Sequence, residues 1–128
     1  MNNFLGLIVG DRGNLILEIN KTNNYVGTGD DKWCTISLEL IKSNINFSIF
    51  GEFITNYEIK EIVNNLRKVL DNQINEPVVL ETLESYINFI FNKDSVRLII
   101  NFYPSLDFYS LYLDKTNIKQ LIEYLNNL

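Results

Sequence analysis

The sequence predicts an α+β fold: antiparallel β-meander sheet(s) with two amphipathic helices, in the order strands–helix–strands–helix. Three observations lead there. The first third of the chain alternates apolar and polar residues with a period of two, as strands with one dry and one wet face do. Two later segments switch to a helical period. Both switches pass through Thr-Asn, in EFITNYEIKEIV and in LYLDKTNIKQLI, so the chain makes one kind of strand-to-helix junction twice.

The opening segments FLGLIV (Phe4 to Val9) and NLILEI (Asn14 to Ile19) read as a hairpin, with turn chemistry at Asp11 to Gly13. The polar stretch NKTNNYVGTGDDK that follows reads as an irregular loop. WCTISLELI then alternates cleanly, with Cys34, Ile36, Leu38 and Leu40 on one face and Thr35, Ser37 and Glu39 on the other. INFSIFGEF repeats the pattern, with Ile45, Phe47, Ile49 and Phe53 expected inward and a turn at Lys42-Ser43-Asn44.

Thr55, followed by Glu58, forms a capping box: the hydroxyl takes an orphan N–H and the carboxylate reaches back. Ile59, Ile62, Val63, Leu66, Val69 and Leu70 then make a single apolar stripe. Beyond Asp71-Asn72-Gln73 and Pro77, VVLETLES fits either a strand or a short turn. YINFIFN, VRLIINFY and FYSLYL are strands, with turns at Asn92-Lys93-Asp94 and Pro104-Ser105. Asp114 or Thr116 caps a second helix with the stripe Ile118, Leu121, Ile122, Leu125 and Leu128. Neither stripe can stay wet, so each helix must lie on a sheet face. No linker divides the chain, and residues 1–128 are expected to form a single α+β domain.

Composition narrows function mainly by exclusion. With 46% hydrophobic and 21% charged residues the chain is globular rather than disordered. The single cysteine, Cys34, suits a reducing compartment. No apolar stretch has the length of a membrane span, and the N-terminus lacks the basic and apolar regions of a signal peptide. A soluble, cytoplasmic protein is expected. The net charge of −5 and the scattering of Arg12, Arg67 and Arg97 argue against nucleic acid and against an anionic membrane, because both demand clustered cations. A basic protein partner fits an acidic chain.

Histidine is absent, which removes Ser-His-Asp and Cys-His catalysis, and one cysteine cannot build a zinc site. No phosphate-binding glycine motif occurs, and Gly27 to Asp31 lacks calcium-loop spacing, so it reads as a loop entering a strand. No cofactor, no metal and no catalytic residue are expected. Glu81 with Glu84, and Glu58 with Glu61, read as solvated or capping carboxylates rather than a hydrolytic pair. Cys34 reads as a small core residue. Trp33 leaves two readings. It either packs beneath a helix or the opening hairpin, or it anchors a partner beside the acidic Asp30 and Asp31. Asp30, Asp31 and Trp33 are therefore the candidate partner-binding residues. Tyr103, Phe108, Tyr109 and Tyr112 cluster near the last turn and read as core.

From Trp33 onward the order of features resembles the WapI-type immunity proteins, small bacterial proteins that neutralise the toxic C-terminal domain of wall-associated, contact-dependent toxins. The resemblance rests on a Trp opening the strand W-C-T-I-S-L-E-L, on F-S-I-F-G-E-F, and on a helix with I-x-x-I-V-x-x-L. It continues through L-E-T-L-E-S-Y-I-N-F-I-F and ends on L-D-K-T-N-I-K-Q-L-I, where Leu113, Asp114, Thr116 and Ile118 match a closing strand–Asp–x–Thr–helix signature. The first 30 residues lie outside it. The resemblance implies a non-enzymatic immunity protein that binds and neutralises a toxin domain. The alternative is an interaction or regulatory domain that self-associates through an exposed sheet edge.

Overall fold

The computed structural model describes residues 4–9, 13–21, 33–42, 45–101 and 108–128. Eight strands and two helices follow one another in the expected order: β1 (Phe4–Val9), β2 (Gly13–Lys21), β3 (Trp33–Lys42), β4 (Ile45–Thr55), α1 (Asn56–Leu70), β5 (Val78–Glu81), β6 (Ile87–Phe91), β7 (Val96–Asn101), β8 (Phe108–Leu113) and α2 (Lys115–Asn126). Strands β1–β4 form one four-stranded antiparallel meander and β5–β8 a second. The ambiguous VVLETLES divides, its first half pairing as β5 and its second half turning into β6. The turns expected at 43–44 and 104–105, most of that at 11–13, the loop after β2 and Tyr103 lie outside the described residues.

The alternation of the sequence becomes the two faces of each sheet. Leu7, Leu15, Leu17, Ile19, Cys34, Ile36, Leu38 and Leu40 are buried on one face of the first sheet. Ile87, Phe89, Phe91, Val96, Leu98, Ile100, Leu111 and Leu113 do the same for the second. Both sets belong to one hydrophobic cluster that also takes in the stripes of α1 and α2. The helices pack on each other and each bridges the sheets: α1 touches β4 and β6, and α2 touches β8 and β1. A helix that follows one sheet thus covers the other as well.

The inward series expected for β4 is corrected by a bulge. Cys34 pairs with Ile54 but Thr35 pairs with Glu52, which leaves Phe53 unpaired on β4. The extra residue shifts the parity, so Ile54 enters the core at 2% exposure, while Phe53 packs against the core from its partly buried position as expected. Phe53 is half-buried; its ring folds back over Gly51, where a Cβ would lie 2.7 Å from the Phe53 Cζ, and meets Tyr86 at a centroid distance of 4.5 Å. Only glycine leaves that space. Ile49 is half-buried on the inner face as expected, and the side chains of Ile45 and Phe47 are outside those described.

Both helices start as the junction chemistry demands. Thr55 is the N-cap of α1 with the full capping box to Glu58, and Asp114 is the N-cap of α2 with a box to Asn117. At its other end α1 closes in a Schellman motif. Asn72 adopts φ 56°, its N–H reaches the Val69 carbonyl at 3.2 Å, and the Gln73 N–H reaches the Lys68 carbonyl at 2.8 Å.

The third residue of each box does a second task. Glu58 is buried and accepts from the Thr55 N–H at 2.9 Å with one oxygen; its other oxygen accepts from the Leu83 N–H at 2.9 Å, in the turn after β5. Asn117, equally buried, accepts from the Asp114 N–H at 3.1 Å and donates through Nδ2 to the Ile8 carbonyl of β1 at 3.0 Å. Each helix is therefore bonded at its first turn to the sheet it does not follow. A further tie joins α2 to β2, where the Ile19 N–H donates to the Tyr124 hydroxyl at 2.9 Å, just past the final β1–β2 pair Phe4–Glu18. Burial raises the Tyr124 phenol above its usual range and Glu18 adds to that, against the Ile19 N–H, which favours the phenolate.

These ties rank three substitutions. Thr55→Ala removes one cap acceptor and should cost about 1 kcal/mol. Glu58→Ala orphans buried donors on both sides of the molecule and should cost about 3 kcal/mol, whereas Glu58→Gln, which keeps one acceptor oxygen, should fall between the two. Urea midpoints measured on the three variants check the order.

Candidate partner interface

Trp33 opens β3 and pairs with Thr55, the α1 N-cap. It is half-buried, so it is neither a wholly enclosed core residue nor a freely projecting one. Asp30 and Asp31 lie outside the described residues. The neighbouring Cys34 is fully buried at 0% exposure and its Sγ donates to Asn56 Oδ1 at 3.4 Å, as suits a core thiol at a packed junction.

Trp33 stands at one end of the open face of the first sheet, and the register defines what lies beside it. Thr35 pairs with Glu52, Ser37 with Phe50 and Glu39 with Ser48 on β4; across β2, Glu18 is opposite Ser37 and Ile16 opposite Glu39. Cross-strand neighbours on one face lie about 5 Å apart. Glu52, two residues along β4, and Glu39, diagonal to it on β3, therefore flank Phe50, which is 73% exposed on the edge strand, and Glu18 lies two strands away on the same face. Phe4, opposite Glu18, and Ile8 are exposed on the same face. Among its described side chains this face carries no lysine or arginine. It is an acidic surface with an exposed aromatic residue at its β4 edge.

Sequence reasoning placed Thr35, Ser37 and Glu39 on a wet face but did not assemble this surface. The signal was available in F-S-I-F-G-E-F, where adjacent Ile49 and Phe50 cannot both point inward along an alternating strand. Register supplied the rest: Glu18 and Glu52 lie on different strands and meet only through β3.

The other candidates sort plainly. Glu81 and Glu84 are exposed, and Glu58 is consumed by its three local donors: the Thr55 N–H and hydroxyl, and the Leu83 N–H. The carboxylate already occupies the α1 N-terminus. No cluster of three or more potential metal ligands occurs among the described residues. Phe108 and Tyr112, expected in the core, are 57% and 59% exposed, because their parity on β8 turns them away from the helices. Tyr109, on the opposite face, packs on the core.

A family model, the Immunity protein WapI-like family, matches residues 7–128. The chain belongs to that family. The match reaches back over the opening hairpin, which the resemblance from Trp33 onward had left out; β1 and β2 are integral to the first sheet and β1 accepts the Asn117 tie. No curated protein and no solved structure matches the chain. Membership gives the WapI-like chain an immunity role and, in general terms, a protein partner. No described helix is long and apolar enough to cross a membrane.

Trp33 and Phe50 should separate in experiment. Trp33→Ala removes a half-buried indole beside a helix cap and should cost about 1–2 kcal/mol of stability. Phe50→Ala, at a position 73% exposed, should leave stability within about 0.5 kcal/mol and show itself in partner binding alone. Thermal melts alongside binding kinetics on both variants provide the check.

Proposed function

We propose that the chain is a non-enzymatic cytoplasmic immunity protein that binds and neutralises a bacterial toxin domain with a basic surface. The observation that carries the reading is the open face of the first sheet: three glutamates on the face that also carries the exposed Phe50, with no cation among its described side chains, in a chain of an immunity family. Neutralisation by occlusion asks only for a complementary surface. Like-signed rim charges steer a basic partner in and an exposed aromatic residue slows its release. Trp33 extends this face at its helix-cap end, and Asp30 and Asp31, separated from it in the sequence by Lys32, remain part of the proposed contact.

Co-expression with the C-terminal toxin domain of a large secreted protein, taken from the neighbouring gene where one encodes such a protein, tests the proposal. Growth rescue and a stable complex are the expected results. Glu39→Gln with Glu52→Gln should then slow association roughly tenfold at low salt and flatten its salt dependence, with dissociation little changed. Failure of both rescue and complex formation contradicts the toxin reading. Rescue that survives the paired glutamine variant at unchanged association rate moves the interface elsewhere.

A further inference from the structure

The two sheets differ on the faces they turn away from the helices. The outward face of the first sheet sets its apolar residues among the glutamates of β2, β3 and β4, whereas the outward residues of β6, β7 and β8 include Ile90, Ile99, Phe108 and Tyr112 with a single charge, Arg97. Strands apolar on both sides are the mark of sheets covered on both sides. The outer rows of the second sheet run Val79–Ile90–Arg97–Tyr112 and Glu81–Asn88–Ile99–Ser110. Val79 and Tyr112 are each 59% exposed and Phe108, at the end of the same face, 57%. The only charged residues on these rows are Arg97, on β7, and Glu81, on the edge strand β5.

Arg97 is already held in place. Its Nε donates to the Ser110 hydroxyl, and its guanidinium carbon sits 5.9 Å from the centroid of the Tyr112 ring. The planar group is thus fixed against the sheet while the rest of its N–H fork remains to serve a carboxylate, and less freedom is lost when something docks.

We infer that this face docks on a second copy of the chain. Charge argues for that occupant. One cation and one anion on a face otherwise made of apolar and neutral polar residues suit neither a strongly basic nor a strongly acidic partner, but they complement themselves. A twofold axis in the plane of contact, bisecting the line from Arg97 to Glu81 and crossing β6 between Asn88 and Ile90, sets Arg97 of each copy opposite Glu81 of the other. Val79, Ile90, Ile99, Phe108 and Tyr112 then fill the space between two sheets stacked about 10 Å apart. The acidic face of the first sheet stays outside this contact, so the inference stands independently of the toxin reading.

Sedimentation equilibrium of the full chain across the micromolar range provides the test. A mass twice the 14.9 kDa of the monomer is expected. Tyr112→Lys and Val79→Lys, both at exposed positions, should each weaken association roughly tenfold or more without moving the thermal midpoint measured at concentrations where the chain is monomeric. Arg97→Glu and Glu81→Arg should each weaken it too, and the double variant should regain most of the loss. A monomer throughout overturns the inference. So does a dimer indifferent to Tyr112→Lys and Val79→Lys with native melting, or a double charge variant no more associated than the single ones.

Discussion

The structure depends on two buried side chains, Glu58 and Asn117, that each serve a helix cap and the opposite sheet at once. A helix N-terminus presents orphan N–H groups that some acceptor must satisfy, and a capping box does this locally. Here the third residue of the box has atoms to spare, and each spends them on the backbone of the other half. The polarity is opposite in the two cases. The carboxylate accepts an N–H from the turn after β5, and the amide donates to a carbonyl on β1. Leaving either partner unmatched in the interior would cost more than the bond itself contributes, which is what makes the arrangement specific.

The turn that Glu58 holds is itself tightly determined. Ser85 adopts φ 59°, a region that L residues rarely occupy, and its carbonyl accepts from the side-chain amides of both Asn88 and Asn101 at 3.0 and 2.6 Å. Thr82 bonds Asn88 through its N–H and the Ile87 carbonyl through its hydroxyl. No buried side-chain polar atom among the described residues lacks a partner. With the turn fixed to Glu58, and Glu58 to Thr55, the register of the second sheet is tied to the end of the first. The inner face of each sheet is committed to the shared core, and their outer faces are left free to diverge. One is acidic with an exposed aromatic residue at its edge; the other mixes apolar and neutral polar residues with a single Arg–Glu complement.

Much of this was legible in the chain. Alternation located the strands of the first sheet, the Thr55–Glu58 spacing located α1, and the parity of Cys34 with Ile36 and Leu38 placed the thiol in the core. What could not be read has a common physical cause: periodicity says which residues share a face, not what covers that face. Phe108 and Tyr112 read as core from the sequence because aromatic residues usually are, yet the helices cover the opposite side of β8. The β4 bulge slipped past because one added residue reverses parity without altering composition. Asn117 gave no local hint of its bond to Ile8, 109 residues away. As for the interface, only Trp33 among the residues expected there falls on the described acidic face, and Phe50 was found by register rather than by motif.

The central claim is that the crossed ties make the two strand–helix halves unfold together. Differential scanning calorimetry tests it most directly, by comparing the calorimetric enthalpy with the van't Hoff enthalpy. The account predicts one transition with a ratio near 1, and a broadened or split transition in the Glu58→Ala, Asn117→Ala double variant. Two resolved transitions in the unaltered chain would contradict it.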